Sequence, residues 1–156
     1  MNISSLFELL GQNIESDKVT SLLESNPSFE VGRPDSGRQY VISKELGVDL
    51  LFEPNEGFLA GKTKHLRNCQ ALFFYSEGRD GHSEFSGQLP FGFTFSSQRS
   101  ELISKKKPLR TWKIGKGEVP VDFPNPSHDK WTFESDYISA HYNKSGRIMY
   151  FIVSRQ

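Results

Sequence analysis

The 156-residue chain has a single cysteine, Cys69, so no internal disulfide can staple it. The position of Cys69 beside an apolar strand suits a small buried side chain better than a reactive thiol. Long apolar runs are missing too, and none approaches the roughly 18 residues that would be read as a membrane-spanning helix. The N-terminus, Met1-Asn2-Ile3-Ser4-Ser5, lacks a basic segment followed by an apolar one. No leader is read there, and the expectation is a cytoplasmic protein. Net charge is also absent: Lys+Arg and Asp+Glu both number 19, which offers no general attraction to nucleic acid or to an anionic membrane.

The residues that chemistry needs are scattered. His65, His82, His128 and His141 show no His-x-x-x-His or Cys-His spacing, so no metal is expected. Asp80 with His82, and His128 with Asp129, can be written as acid–base pairs, but neither has a nucleophile beside it, and an enzyme is not expected. The glycines match neither a phosphate-cradling loop nor a dinucleotide fingerprint, each of which needs a strand before and a helix after. No cofactor is implied.

What the chain does have is aromatic residues. Thirteen Phe, five Tyr and two Trp supply a core in place of abundant aliphatics, and aromatics favour strands. The balanced charge hides an asymmetry. Residues 1–78 carry seven basic against eleven acidic side chains and residues 79–156 twelve against eight, about −4 and +4, so the first half offers an acidic surface.

The second half reads as a repeat of the first. A helix-like segment from Ser16 to Pro27 has a counterpart from Ser97 to Pro108. A short aromatic strand follows each, Tyr40-Val41-Ile42 and Trp131-Thr132-Phe133. Next come alternating strands, Val48 to Gly57 and Ile138 to Gly146, and then apolar strands, Ala71 to Tyr75 and Met149 to Val153. Ser16 is the expected cap of the first helix and Ser96 or Ser97 of the second, with Lys105 to Lys107 suiting a helix C-terminus. The expected fold is α+β: two tandem helix-plus-antiparallel-strand repeats forming one curved sheet backed by helices. The first repeat spans residues 1–78, and residues 79–156 hold the connector and the second. Two connections diverge, Gly57 to Asn68 and Leu109 to His128, both read as long irregular loops.

Alternation gives each strand two faces. In Val48 to Glu53, the set Val48, Leu50 and Phe52 should face the helices, leaving Asp49, Leu51 and Glu53 outward. In Ile138 to Asn143 the outward set is Ser139, His141 and Asn143. Trp112 lies between Arg110 and Lys113 at the start of the long loop, where it is either an anchor tucked back or an interface hot spot. Phe73, Phe74, Tyr150 and Phe151 lie in near-continuous apolar runs and are read as core rather than as base-stacking residues. The partner-contacting set is therefore Asp49, Leu51, Glu53, Trp112, Tyr137 and His141, with the acidic residues favoured if the partner has a basic cleft.

The order of helices and strands, twice over, resembles the tandem-repeat fold of the β-lactamase inhibitor protein and the related outer-membrane assembly lipoproteins. The stretch Leu89-Pro90-Phe91-Gly92-Phe93-Thr94-Phe95-Ser96-Ser97-Gln98-Arg99 is similar to small bacterial proteins found beside polymorphic or contact-dependent toxins, as is the tail from Asp129-Lys130-Trp131 to Ile152-Val153. Such neighbours are typically immunity proteins. The resemblance implies a protein that binds and neutralises a cognate toxin domain in the cytoplasm, with no nucleic acid or membrane partner. A small-ligand or lipid carrier is the alternative. Two departures stand out: there is no lipidated cysteine as in the lipoproteins, and a single cysteine does not fit the disulfide-bearing inhibitor.

Overall fold

Alternating and aromatic-rich runs become strands, and strands dominate the molecule. The computed structural model describes residues 2–54 and 67–156. Among the described residues nine strands are formed: β1 (Glu30–Val31), β2 (Gln39–Ser43), β3 (Val48–Glu53), β4 (Asn68–Tyr75), β5 (Arg110–Lys113), β6 (Gly117–Val119), β7 (His128–Phe133), β8 (Asp136–Tyr142) and β9 (Ile148–Arg155). All pair antiparallel in one sheet of order β1-β2-β3-β4-β9-β8-β7-β5-β6. Three short α-helices, α1 (Ile3–Phe7), α2 (Asp17–Ser25) and α3 (Arg99–Lys105), and two single 3-10 turns, Arg79–Gly81 and Pro90–Gly92, complete the described elements.

This corrects the expected α+β architecture of two tandem helix-plus-strand repeats. The helices run only five, nine and seven residues, too short to be independent half-domains, and the sheet is the continuous framework. The second irregular loop is also corrected in part, because Arg110 to Val119 forms the β5–β6 hairpin. Its strand-favouring Thr111 and Trp112 lead into a turn where Lys116 N–H donates to the Lys113 carbonyl at 2.9 Å, with Gly115 at φ +86°. The other expected loop lies largely outside the described residues.

Local chemistry sets the helix ends. Ser16 Oγ accepts from Val19 N–H at 3.4 Å, as expected for α2. In α3 the cap is Gln98 rather than Ser96 or Ser97, and its N–H donates to Glu101 Oε1 at 3.1 Å. One apolar face of the sheet, with Val48, Leu50, Phe52, Leu72, Phe74, Trp131, Ile138, Phe151 and Val153, is closed by Leu6, Leu9, Val19 and Leu102 from the helices and by Phe85, Leu89 and Phe93 from the connector. Phe93 meets Trp131 edge-on at 4.9 Å, and Trp131 Nε1–H donates to the Lys106 carbonyl at 2.7 Å, so the end of α3 is tied to β7.

On this face Asp129 is fully buried and fully bonded. Arg99, the first residue of α3, forks onto it through Nε at 2.7 Å and Nη2 at 2.9 Å. Thr111 Oγ1 donates to Oδ1 at 2.5 Å and Tyr142 OH to Oδ2 at 2.7 Å. Arg99 Nη2 also reaches the Val121 carbonyl at 2.7 Å. Asp129 thus joins α3 to strands β5, β7 and β8, and Arg99 extends the network to the segment after β6. Asp129→Ala would leave the Arg99 guanidinium and two hydroxyls without their acceptor. It is expected to cost about 3–5 kcal/mol in urea unfolding, and a loss below about 1 kcal/mol would show that the network does not hold the helix to the sheet.

Candidate docking face of the sheet

The face of the sheet turned away from the helices is built by the same alternation. In β4, Leu72 and Phe74 enter the core while Ala71, Phe73 and Tyr75 point the other way. In β9, Phe151 and Val153 enter it while Tyr150 and Ile152 do not. Phe73 and Tyr150 therefore leave the core to which the sequence reading assigned them, and Phe74 and Phe151 remain in it.

Register then aligns rings across the strands. Trp112 of β5 lies opposite His128 of β7, His128 opposite His141 of β8, His141 opposite Tyr150 of β9, and Tyr150 opposite Tyr75 of β4. The first three centroid spacings are 4.7, 4.7 and 4.8 Å, with planes within 21° of parallel. Those distances match the separation between neighbouring strands, so the rings stand on the sheet and stack on one another. Tyr75 follows at 5.9 Å from Tyr150, and His82 of the connector stacks on Tyr75 at 3.8 Å and 13°. The connector reaches this point because it crosses the β2–β3 turn closely: a Cβ at Gly47 would run into the Ser83 carbonyl and the Phe85 N–H.

At that end sits Asp49, 6% exposed. Tyr75 OH donates to its Oδ2 at 3.0 Å, and His82 Nε2 lies 2.8 Å from its Oδ1, while His82 Nδ1 lies 3.0 Å from the Arg79 carbonyl. Burial and the Asp49 carboxylate hold the Tyr75 hydroxyl far above the usual phenol range. At the other end Lys130 Nζ lies 4.4 Å from the centre of the Tyr137 ring and 5.5 Å from that of Trp112.

The structure thus brings Trp112, Tyr137 and His141 together on one half-buried face. Asp49 and Leu51 share the face but are buried, and Glu53 is paired with Arg38 at 3.2 Å. Of the two acidic residues expected to meet a partner, Asp49 is committed inside the molecule and Glu53 is paired at the surface. His128, Lys130, Tyr150, Tyr75 and His82 escaped the sequence reading because their proximity depends on register across five strands. The signal was present only as equal parity within each strand.

Stacked rings present edges, not faces. The π-faces of His128 and His141 are occupied by their neighbours, so these rings are not a platform for bases or sugars. Their outward groups are ring edges, which suit contact with a protein surface, while His141 Nε2 is bonded within the sheet to Ser139 Oγ at 3.0 Å.

The chain matches no protein-family model and no curated protein. A solved structure of similar fold is the 1.5 Å crystal structure of an extracellular protein containing an SCP domain from Bacillus anthracis strain Ames. It has a TM-score of 0.58 and 9% identity, covering 97% of this chain and 45% of that one. This chain spans less than half the length of that protein. The likeness concerns the fold, and it supports the sheet-dominated architecture over two helix-plus-strand repeats. The expectation of a cytoplasmic location does not stand, because the protein sharing the fold is extracellular. The cysteine count could not have separated compartments: Cys69 is buried, and burial pushes its thiol up to about 12, leaving it unreactive.

The row also has a pH signature. Burial, then His128 and Lys130, push His141 down from its ordinary 6.5 to about 3, and burial lowers His128 as well. The folded state therefore resists a proton that the unfolded chain accepts. The stability of the stack is whole above about 6.5, falls as pH drops below it, and levels off near 3. Urea midpoints should fall on acidification over that window, and His141→Phe should flatten part of the slope. An unchanged slope in the variant would contradict the buried neutral imidazole.

Proposed function

We propose that this chain is an immunity protein that docks on a cognate bacterial toxin domain through the ring-row face and neutralises it by covering a functional surface. The observation that carries docking is the row Trp112-His128-His141-Tyr150-Tyr75, held in register with Lys130 at its edge. Rigid aromatic side chains bind at little entropic cost and form the typical anchors of protein interfaces. The partner's class rests on the resemblance of the Leu89–Arg99 stretch and the tail from Asp129 to Val153 to immunity proteins. The carrier reading has less support, because Trp131, Phe52, Phe74 and Phe151 fill the space between sheet and helices.

The test is co-expression with the product of the gene immediately upstream. That product should arrest growth alone and should be silenced by, and co-purify with, this chain. Trp112→Ala and Tyr150→Ala should each weaken the complex by about 2 kcal/mol, roughly 30-fold, with cooperative unfolding retained. Lys144→Ala in the β8–β9 turn should be neutral. An upstream product that neither binds nor harms the cell removes the reading.

A further inference from the structure

Charges on the ring-row face are unevenly satisfied. Asp49 is bonded to His82 and Tyr75, and Glu53 is paired with Arg38. At the far end of the sheet Arg110 is paired with Glu118 at 3.5 Å. Lys130 has no carboxylate within 4 Å among the described residues, and it lies directly opposite Arg110 on the neighbouring strand and opposite Ser139 on the other. Of the two cations facing each other across this antiparallel pair, Arg110 is answered by Glu118 and Lys130 by no carboxylate among the described residues. The Lys130 ammonium is pre-placed by two rings, Tyr137 and Trp112.

We infer that the partner meets this face with an acidic epitope, a carboxylate received at Lys130 with an apolar side chain against the neighbouring ring edges. This rests on the docking reading and reverses the polarity expected from the acidic first half. A carboxylate at Lys130 would supply the counter-charge that Arg110 already has in Glu118, and the surrounding rings would partly desolvate the contact and strengthen it. The second half, at about +4, would steer an acidic partner toward the same end of the sheet.

Two measurements test this separately from the immunity role. In the first, the isotope-labelled protein is titrated with a peptide of alternating Glu and Leu, and with its Lys-for-Glu counterpart. The Trp112 indole N–H signal, assigned with Trp112→Phe, should shift with the acidic peptide at low salt. It should stay still with the basic one and lose its response in Lys130→Glu. No shift with either peptide, or a preference for the basic one, overturns the inference. In the second, association with the upstream product should slow about 10-fold in Lys130→Glu and with rising salt, and less in Lys130→Gln. A toxin that binds equally well to Lys130→Glu overturns the acidic epitope and leaves the immunity role standing. Docking of the acidic peptide without binding of the upstream product does the reverse.

Discussion

The registers along β4, β9, β8 and β7 govern both faces of this molecule. Side chains alternate with a period of two, so a slip of one residue in any of these pairings would exchange core and outer sets. Phe74, Phe151, Ala140 and Asp129, in line across four strands, would leave the helix side. Tyr75, Tyr150, His141 and His128 would enter it. The apolar core therefore fixes the ring row: the energy that buries Trp131 and Phe151 also sets the spacing of the rings behind them.

Two buried carboxylates reinforce that registry, one on each face. Asp129 bonds α3 and three strands together beneath the sheet, and Asp49 fastens the connector to the end of the ring row through His82. A buried carboxylate is tolerated only when its lone pairs are used, and each here accepts from or lies against more than one partner. The consequence for recognition is a face on which Asp49 is bonded internally, Glu53 and Glu118 are paired with Arg38 and Arg110, and the rings and Lys130 remain for a partner. Resemblance in fold to part of an extracellular protein is compatible with such a scaffold serving unrelated roles.

Much of the sheet was legible in the sequence, and the reason differs by element. β3 and β8 alternate cleanly, and β4 and β9 are apolar runs bounded by polar turns, so their presence could be read from Val48 to Glu53, Ala71 to Tyr75, Ile138 to Tyr142 and Met149 to Val153. The β5–β6 hairpin was hidden because its strands are short and its two glycines, with Pro120, Pro124 and Pro126 following, imitate a loop. The helices were given too much architectural weight, since Leu22, Leu23, Leu102 and Ile103 mark helical faces without revealing how short the segments are. Alternation gives Asp49 its face, but its burial is not legible in the sequence, because its partner His82 comes from a connector 33 residues away. His141 was legible as an outward strand residue, Tyr137 as a contact candidate, and Trp112 as either an anchor or an interface residue. Their union with His128, Tyr150 and Lys130 required the strand order, which parity alone does not supply.

The central claim, that the ring-row face is the docking face, is tested most directly by hydroxyl-radical footprinting of the complex with the upstream product. The account predicts that Trp112, His128, Tyr137 and Tyr150 lose reactivity on binding while Phe7 and Phe91, which pack on the helix side, keep theirs. Protection of Phe7 and Phe91 with the ring row unchanged would contradict it.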